Sequence, residues 1–282
     1  MSSSSKLHQQ EEKKVLSVSD YAANMLRESF QCLTITLLSL LLPLSFVILA
    51  RQSVTRYLIA TSAYTEPHTL LVILYSNPTL LHLLAPLVSI SALTRCLTGR
   101  TLSDHMMSKP RLYTSWFFLF TFQICAFIGI EGSIAVGIDG TSISHERLCL
   151  LTRGLFLLGL HETTLFWSKK VVKPVVDDTV FGVETEDRYV EKVVMAMSFG
   201  LLWWCKLRDE IESLVVVAEV KRDLIGSVDV VDFVGWWLYY VTVAIGMAKV
   251  VKALIWLNFV LFCGNVVDSD NAGCCTRNDD KV

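Results

Sequence analysis

The chain has 282 residues, of which 52% are hydrophobic and 18% are charged, and its formal net charge at pH 7 is -2. An average soluble domain carries about 25% charged residues, so this composition argues against an ordinary soluble protein. There is also no basic stripe with interleaved aromatic residues, which argues against a nucleic-acid partner.

Apolar segments about 20 residues long dominate the first 170 residues of the chain. An apolar helix of about that length is needed to cross a hydrocarbon core of about 30 Å. We therefore predict an all-α, polytopic helical membrane protein whose first partner is the lipid bilayer. The segments run over Phe30 to Ala50, Leu70 to Leu93, Leu112 to Ile130 and Leu148 to Trp167.

The polar residues 1–29 precede these segments and contain no apolar core of a cleavable signal peptide. We predict them to be a disordered tail, so that the first span itself directs insertion. Lys and Arg concentrate in this tail and again in residues 168–192. Because basic residues accumulate on the cytosolic side of membrane proteins, both stretches are predicted to be cytosolic, in the endomembrane system or the plasma membrane.

An apolar row at three- and four-residue spacing follows, from Val190 to Ala218. This spacing marks one face of a helix, and it predicts a long amphipathic helix over residues 188–222. A true span with a helical extension is the alternative. Residues 168–229 are accordingly assigned as a cytosolic or interfacial segment, within which residues 168–222 offer a surface for a protein partner.

The last apolar region, Val230 to Val267, is too long for one span, since 38 helical residues measure about 57 Å. Two spans are predicted, with Lys249 and Lys252 at the turn, because a Lys at mid-membrane costs about 2.5 to 3.5 kcal/mol. The helical transmembrane domain then covers residues 30–267, with six spans, or seven if residues 193–205 cross. Residues 268–282 form a polar tail, in which Cys274 and Cys275 are either S-palmitoylated or simply solvated.

Two opposite charges lie at equal distances from the loop centre at Ser142, namely Glu131 and Arg153. In an antiparallel hairpin equal distance means equal depth, so we predict an ion pair between them. The alternative is that both side chains extend separately to the membrane surface. Small residues recur every fourth position on the same segment and predict close helix packing: Thr121, Cys125, Gly129, Ser133 and Gly137.

Titratable residues within the predicted spans are the best functional candidates, because they are costly in lipid. His82, His161 and Glu162 together predict a proton or substrate site, and interhelical hydrogen bonds are the alternative interpretation. The sequence HETTL is not a zinc motif, since residue 165 is Leu where HExxH needs a second His. No catalytic residue, metal site or cofactor site is assigned.

The runs HETTLFWSKKVVKPVVDDTVFG (residues 161–182) and WWLYYVTVAIGM (residues 236–247) resemble a plant family of uncharacterised multi-pass transmembrane proteins. The resemblance covers most of the chain after the polar N-terminal residues. It implies residence in a membrane and supplies no activity and no site residues.

The first hypothesis for function is a non-enzymatic scaffold or regulatory component of a membrane complex. It follows from the predicted close packing, the amphipathic helix and the lack of catalytic motifs. The second hypothesis is a small-molecule or ion transporter, linked to protons, or a channel, and it depends on His82, His161 and Glu162. A third, an intramembrane enzyme acting on lipid, lacks a nucleophile and base at recognisable spacing.

Overall fold

The computed structural model describes residues 2–61, 68–99, 110–135, 149–181, 189–202, 208–225 and 228–270. These ranges are helical, with no strand among them, which confirms the all-α class. The helices are α1 Ser2–Ser39, α2 Leu41–Thr61, α3 His68–Thr98, α4 Pro110–Ala135, α5 Leu150–Trp167, α6 Lys173–Val176, α7 Tyr189–Leu202, α8 Arg208–Ile225 and α9 Val230–Asp270. Two π-helical turns, Ser168–Val172 and Asp177–Phe181, flank α6.

Four helical stretches in these ranges are long and apolar enough to cross a membrane, and they indicate a membrane location. They are Ser19–Leu58, Pro78–Thr98, Leu112–Ile134 and Val230–Phe262. The predicted six or seven spans are therefore not confirmed by length and composition. Helix α5, which carries Arg153 and Glu162, is not among the four.

Helices α1 and α2 form one long rod with a break at Leu40. The Leu40 N–H is shared between the carbonyls of Thr36 and Leu37, each at 3.2 Å. Pro43 explains the break, because it has no N–H to donate to the carbonyl of Ser39. Helix α1 begins at Ser2, so the polar residues 2–29, predicted to be a disordered tail, are helical in the structure.

The predicted C-terminal hairpin is wrong, because α9 is one continuous helix of 41 residues. No Gly, Pro or Asn stands between Lys249 and Lys252 to end the helix. The cost of a lysine within the helix is also reduced, since Lys249 pairs with Glu162 of α5. The helix continues to Asp270, and the remaining residues of the predicted C-terminal tail lie outside the described ranges.

Helix α5 continues without interruption through the π-helical turns and α6 as far as Phe181. The wide turns stand on either side of Pro174, whose missing N–H disturbs regular α-helical bonding. Much of this continuation is buried, including Val172, Lys173 and Asp177. Gln31 of α1 donates a hydrogen bond to Asp177 through Nε2 at 2.5 Å. Thus the first part of the stretch predicted to be cytosolic packs within the bundle.

Helices α5 and α9 run in the same direction. The rings of Phe156 and Tyr239 stack at 4.5 Å, and further along both helices Glu162 meets Lys249 at 2.9 Å. The core around this pair of helices is aromatic; its largest fully buried side chains include Phe46, Phe122, Phe156, Trp167 and Tyr239. The outer faces of α3 and α4 expose apolar side chains, as lipid-facing helices do; they include Leu83, Leu87, Phe117, Phe120 and Phe127.

The bundle has two polar ends. At one end, which we call the Arg153 end, three charged residues form ion pairs with residues of α8: Arg51, Arg153 and Asp232. At the other, the Asp177 end, Gln31 meets Asp177. From Arg153 to Asp177 is 24 helical residues, or about 36 Å. Residues 168–229, predicted to lie on one side of the membrane, are thus divided between the two ends of the bundle.

Candidate functional site: ion pairs around helix α8

Helix α8 contains the longest unbroken run of buried residues among the described ranges. All eight residues from Ile211 to Ala218 are buried, whereas an amphipathic surface helix buries only one face. The predicted single helix over residues 188–222 corresponds to α7 and α8, with residues 203–207 outside the described ranges. Helix α8 is therefore an internal element, and its charged residues near either end meet charges on three other helices.

The first ion pair joins the beginning of α8 to α2. Arg51 donates from Nε to Glu210 Oε2 at 3.1 Å and from Nη2 to Glu210 Oε1 at 2.9 Å. This is the two-pronged geometry that a guanidinium prefers with a carboxylate. The side chains of Arg51 and Glu210 are 30% and 27% exposed, so this pair lies at the edge of the bundle.

The second ion pair joins α8 to α5 and is more deeply buried. Arg153 donates from Nη2 to Glu212 Oε2 at 2.9 Å, and its Nε lies 2.5 Å from Glu212 Oε1. Burial raises the pKa of Glu212 above its ordinary value, although Arg153 opposes this effect. Loss of hydration therefore outweighs the attraction of the guanidinium, as happens for many buried ion pairs.

The third ion pair joins the end of α8 to α9. Lys221 Nζ donates to Asp232 Oδ2 at 2.6 Å, and Ser53 of α2 donates from Oγ to Asp232 Oδ1 at 3.0 Å. Lys221 and Asp232 are almost completely buried. Both oxygens of the carboxylate are thereby occupied, which is what a buried charge requires.

These pairs hold α8 against α2, α5 and α9 and leave little charge free for chemistry. Within the described ranges no group of three or more His, Cys, Asp or Glu side chains is placed to hold a metal ion. The arrangement fixes a buried helix in position.

Comparisons with protein-family models, with curated proteins and with solved structures gave no match. The resemblance to a plant membrane family thus stays a prediction.

The predicted pair of Glu131 and Arg153 is not the pairing that the structure has. Arg153 binds Glu212, whereas Glu131 lies exposed on α4. Equal distance from a turn places two residues at equal depth, but it does not exclude a partner from a third helix. The sequence signal for this pairing was the position of Glu210 and Glu212, two acidic residues within the predicted apolar row from Val190 to Ala218.

The three residues of the predicted proton or substrate site do not come together. His82 donates a hydrogen bond from Nδ1 to the Pro78 carbonyl and lies within electrostatic range of Asp232. His161 and Glu162 lie beside Lys249. Asp232 and Lys249 are 17 residues apart on one helix, which is about 25 Å. His82 therefore belongs to the Arg153 end, and His161 and Glu162 lie further towards the Asp177 end.

The predicted small-residue row on α4 has a packing role at its centre. Cys125 and Ser133 are buried, and a Cβ at Gly129 would lie 2.6 Å from Cγ2 of Ile48 in α2. Gly137 lies outside the described residues, and so do Cys274 and Cys275, whose lipidation stays a prediction.

Proposed function

We propose that the chain is a multi-pass integral membrane protein that acts as a non-enzymatic scaffold or regulatory component of a membrane complex. The observation that carries this proposal is the far half of α9, where twelve consecutive residues, Val251 to Phe262, are all exposed. Ten of these twelve are apolar, the exceptions being Lys252 and Asn258.

The separation of the two polar ends supports membrane crossing. Gln31 and Arg51 are 20 residues apart on the α1–α2 rod, or about 30 Å, and Arg153 and Asp177 are about 36 Å apart. Both lengths fit a hydrocarbon core of about 30 Å. The six proposed crossings are the α1–α2 rod, α3, α4, α5, α9 and the stretch that contains the 14-residue α7 and returns the chain from Phe181 to α8.

The orientation follows from basic residues on the Asp177 side of the bundle. Arg95 on α3, Lys169 and Lys170 after α5, and Lys249 and Lys252 on α9 all lie towards the Asp177 end. Basic residues mark the cytosolic side, so in this proposal the N-terminus and the Asp177 end are cytosolic. Helix α8 then lies at the opposite side.

The C-terminal part of α9 extends beyond these basic residues. Residue 256 is 24 residues beyond Asp232, or about 36 Å along the helix, so Asn258, Phe259 and Phe262 emerge beyond the core on the cytosolic side. Exposed apolar surface of this kind marks an interaction site. The proposed occupant is an apolar helix of a partner protein, which removes the two phenylalanines from water and offers Asn258 a hydrogen bond.

The test is purification of the full chain from its own membrane in mild detergent, with quantification of bound proteins by mass spectrometry. We expect a protein partner at fixed stoichiometry. The double variant Phe259→Ala with Phe262→Ala should retain at least tenfold less of that partner, because truncating apolar anchors at the centre of an interface is costly.

The matched control is Phe117→Ala with Phe120→Ala on α4, where both rings are similarly exposed and face lipid in this proposal. The control variant should retain the partner. The proposal fails if the wild-type chain has no protein partner, or if the α9 and α4 variants retain the partner equally.

Transport remains a second candidate because of His161. Its Nε2 is buried with no hydrogen-bond partner in the part of the chain that the structure describes, and Glu162 stands next to it. A transport role for this pair predicts a pH-dependent flux in vesicles that Glu162→Gln alters. An unchanged flux would remove this candidate.

A further inference from the structure

A small apolar cluster joins α3, α5 and α9 near the middle of α9. Ala92 and Cys96 of α3 pack on Ile245 of α9, and Phe166 of α5 lies against them. Helix α3 ends just beyond, at Thr98. The next residue, Gly99, has a φ of 65° and donates its N–H to the Arg95 carbonyl at 3.0 Å, as is typical after a helix C-terminus. Past this point α9 continues without α3 beside it.

Charged side chains surround this cluster. The Arg95 guanidinium carbon lies 5.8 Å from the centroid of the Phe166 ring, and Lys249 pairs with Glu162 at 2.9 Å. The buried Cys96 lies within electrostatic range of Arg95, Glu162, Lys249 and Lys252 together. Three cations and one carboxylate leave a net charge of +2, so the cluster has cationic charge that its own carboxylate does not balance.

These cations lie close to the end of α3, where a lipid headgroup can reach them. Arg95 is in the last turn of α3, and along α9 Lys249 and Lys252 are 17 and 20 residues beyond Asp232, or about 25 and 30 Å. Both lysines are exposed, Lys249 to 52% of its side chain. Trp256 follows one turn later and is exposed, as aromatic residues at the membrane surface commonly are.

We propose that Arg95, Lys249 and Lys252 bind the phosphate-bearing headgroup of an anionic phospholipid at the junction of α3 and α9. The exposed apolar side chains of α3 below Arg95, Leu87 and Ile90, then contact an acyl chain. Basic clusters between membrane helices on the cytosolic side bind anionic lipids in this way. The site assumes membrane residence and is separate from the partner helix proposed for the far end of α9.

The test uses the purified full chain in mild detergent, with phosphatidylglycerol and phosphatidylcholine added in equal amounts and binding measured by native mass spectrometry. We expect the chain to retain phosphatidylglycerol preferentially. Lys252→Gln leaves the Lys249–Glu162 pair intact and should weaken phosphatidylglycerol binding about fivefold, and Lys249→Gln with Lys252→Gln about 25-fold.

The matched control is Lys192→Gln, which removes an exposed lysine of α7 and should leave binding unchanged. Size-exclusion chromatography verifies that each variant is folded. Equal retention of both lipids by the wild-type chain would overturn the proposal, as would unchanged binding by folded Lys252→Gln. Displacement of the lipid by millimolar inorganic phosphate would show a site for soluble phosphate and overturn the lipid assignment. Because no partner protein is present, failure here leaves the scaffold proposal untouched.

Discussion

Gly159 of α5 and Gly246 of α9 face each other where the two helices cross. A Cβ at Gly159 would lie 1.8 Å from the Thr242 carbonyl oxygen, and a Cβ at Gly246 would lie 1.9 Å from the Leu155 carbonyl oxygen. Each glycine therefore faces the backbone of the residue that stands four positions before the other glycine, Thr242 for Gly159 and Leu155 for Gly246. This reciprocal contact lets the helices approach closely enough for Phe156 to stack on Tyr239 and for Glu162 to reach Lys249.

We predict that Gly159→Ala separates α5 from α9. The added methyl group meets a backbone carbonyl, which cannot rotate away as a side chain can, so we expect a loss of about 3 kcal/mol or more in the free energy of unfolding. Gly246→Ala should behave in the same way. Reversible unfolding in mixed detergent micelles measures this loss.

The control for that experiment is Gly154→Ala, five residues earlier in α5. A Cβ there has nothing within 4 Å, and alanine is the better helix former by about 0.5 to 1 kcal/mol. We expect Gly154→Ala to be neutral or stabilising. Equal stability of the Gly154 and Gly159 variants would show that the close crossing is not required.

Arg153 and Glu212 should respond unequally to substitution. Arg153→Met leaves a desolvated carboxylate without its cation and is expected to cost about 3 to 5 kcal/mol at neutral pH. Adding Glu212→Gln removes that charge and should recover most of the loss. Additive effects in a double-mutant cycle would contradict direct coupling between the two side chains.

The raised pKa of Glu212 predicts how stability varies with pH. The folded protein holds the Glu212 proton more firmly than the unfolded chain does, so protonation of Glu212 stabilises the fold. This stabilisation is fully present below the ordinary pKa of 4.5 and is lost as the pH rises through the raised pKa. Glu212→Gln cannot titrate. We expect the wild-type chain to lose stability relative to Glu212→Gln as the pH rises from 4.5 to the raised pKa, followed as the difference in melting temperature. A constant difference across that range would contradict the raised pKa.

Local patterns in the sequence predicted the helices and the polar residues within them, but not the partners of those residues. The all-α class, the apolar segments and the packing role of Gly129 follow from hydropathy and spacing, which are properties of a single helix. The partner of Arg153 depends on how α8 folds back against α5, and no local signal encodes that contact. The α5–α9 crossing was missed for the same reason, since Gly159 and Gly246 are 87 residues apart.

The hairpin predicted at Lys249 and Lys252 failed for a different physical reason. A lysine was assigned the cost of an isolated charge in lipid, whereas Lys249 has a carboxylate partner on a neighbouring helix. The cost of a charge in a membrane depends on its neighbours, and these are known only once the helices are packed. The same holds for α8, whose charges indicated a surface helix until their partners were placed.

Gly129 on α4 offers a milder test of close packing than Gly159. A Cβ at Gly129 would lie 2.6 Å from Cγ2 and 3.1 Å from Cδ1 of Ile48, so the obstacle is a side chain. That side chain is buried and has little room, and overpacking of this kind costs about 1 to 3 kcal/mol. We predict that Gly129→Ala destabilises the bundle less than Gly159→Ala. Ile48→Val shortens the side chain that blocks Gly129→Ala. The double variant should therefore lose less free energy of unfolding than the two single variants lose together. Strict additivity, measured by the same unfolding assay, would contradict the contact between Gly129 and Ile48.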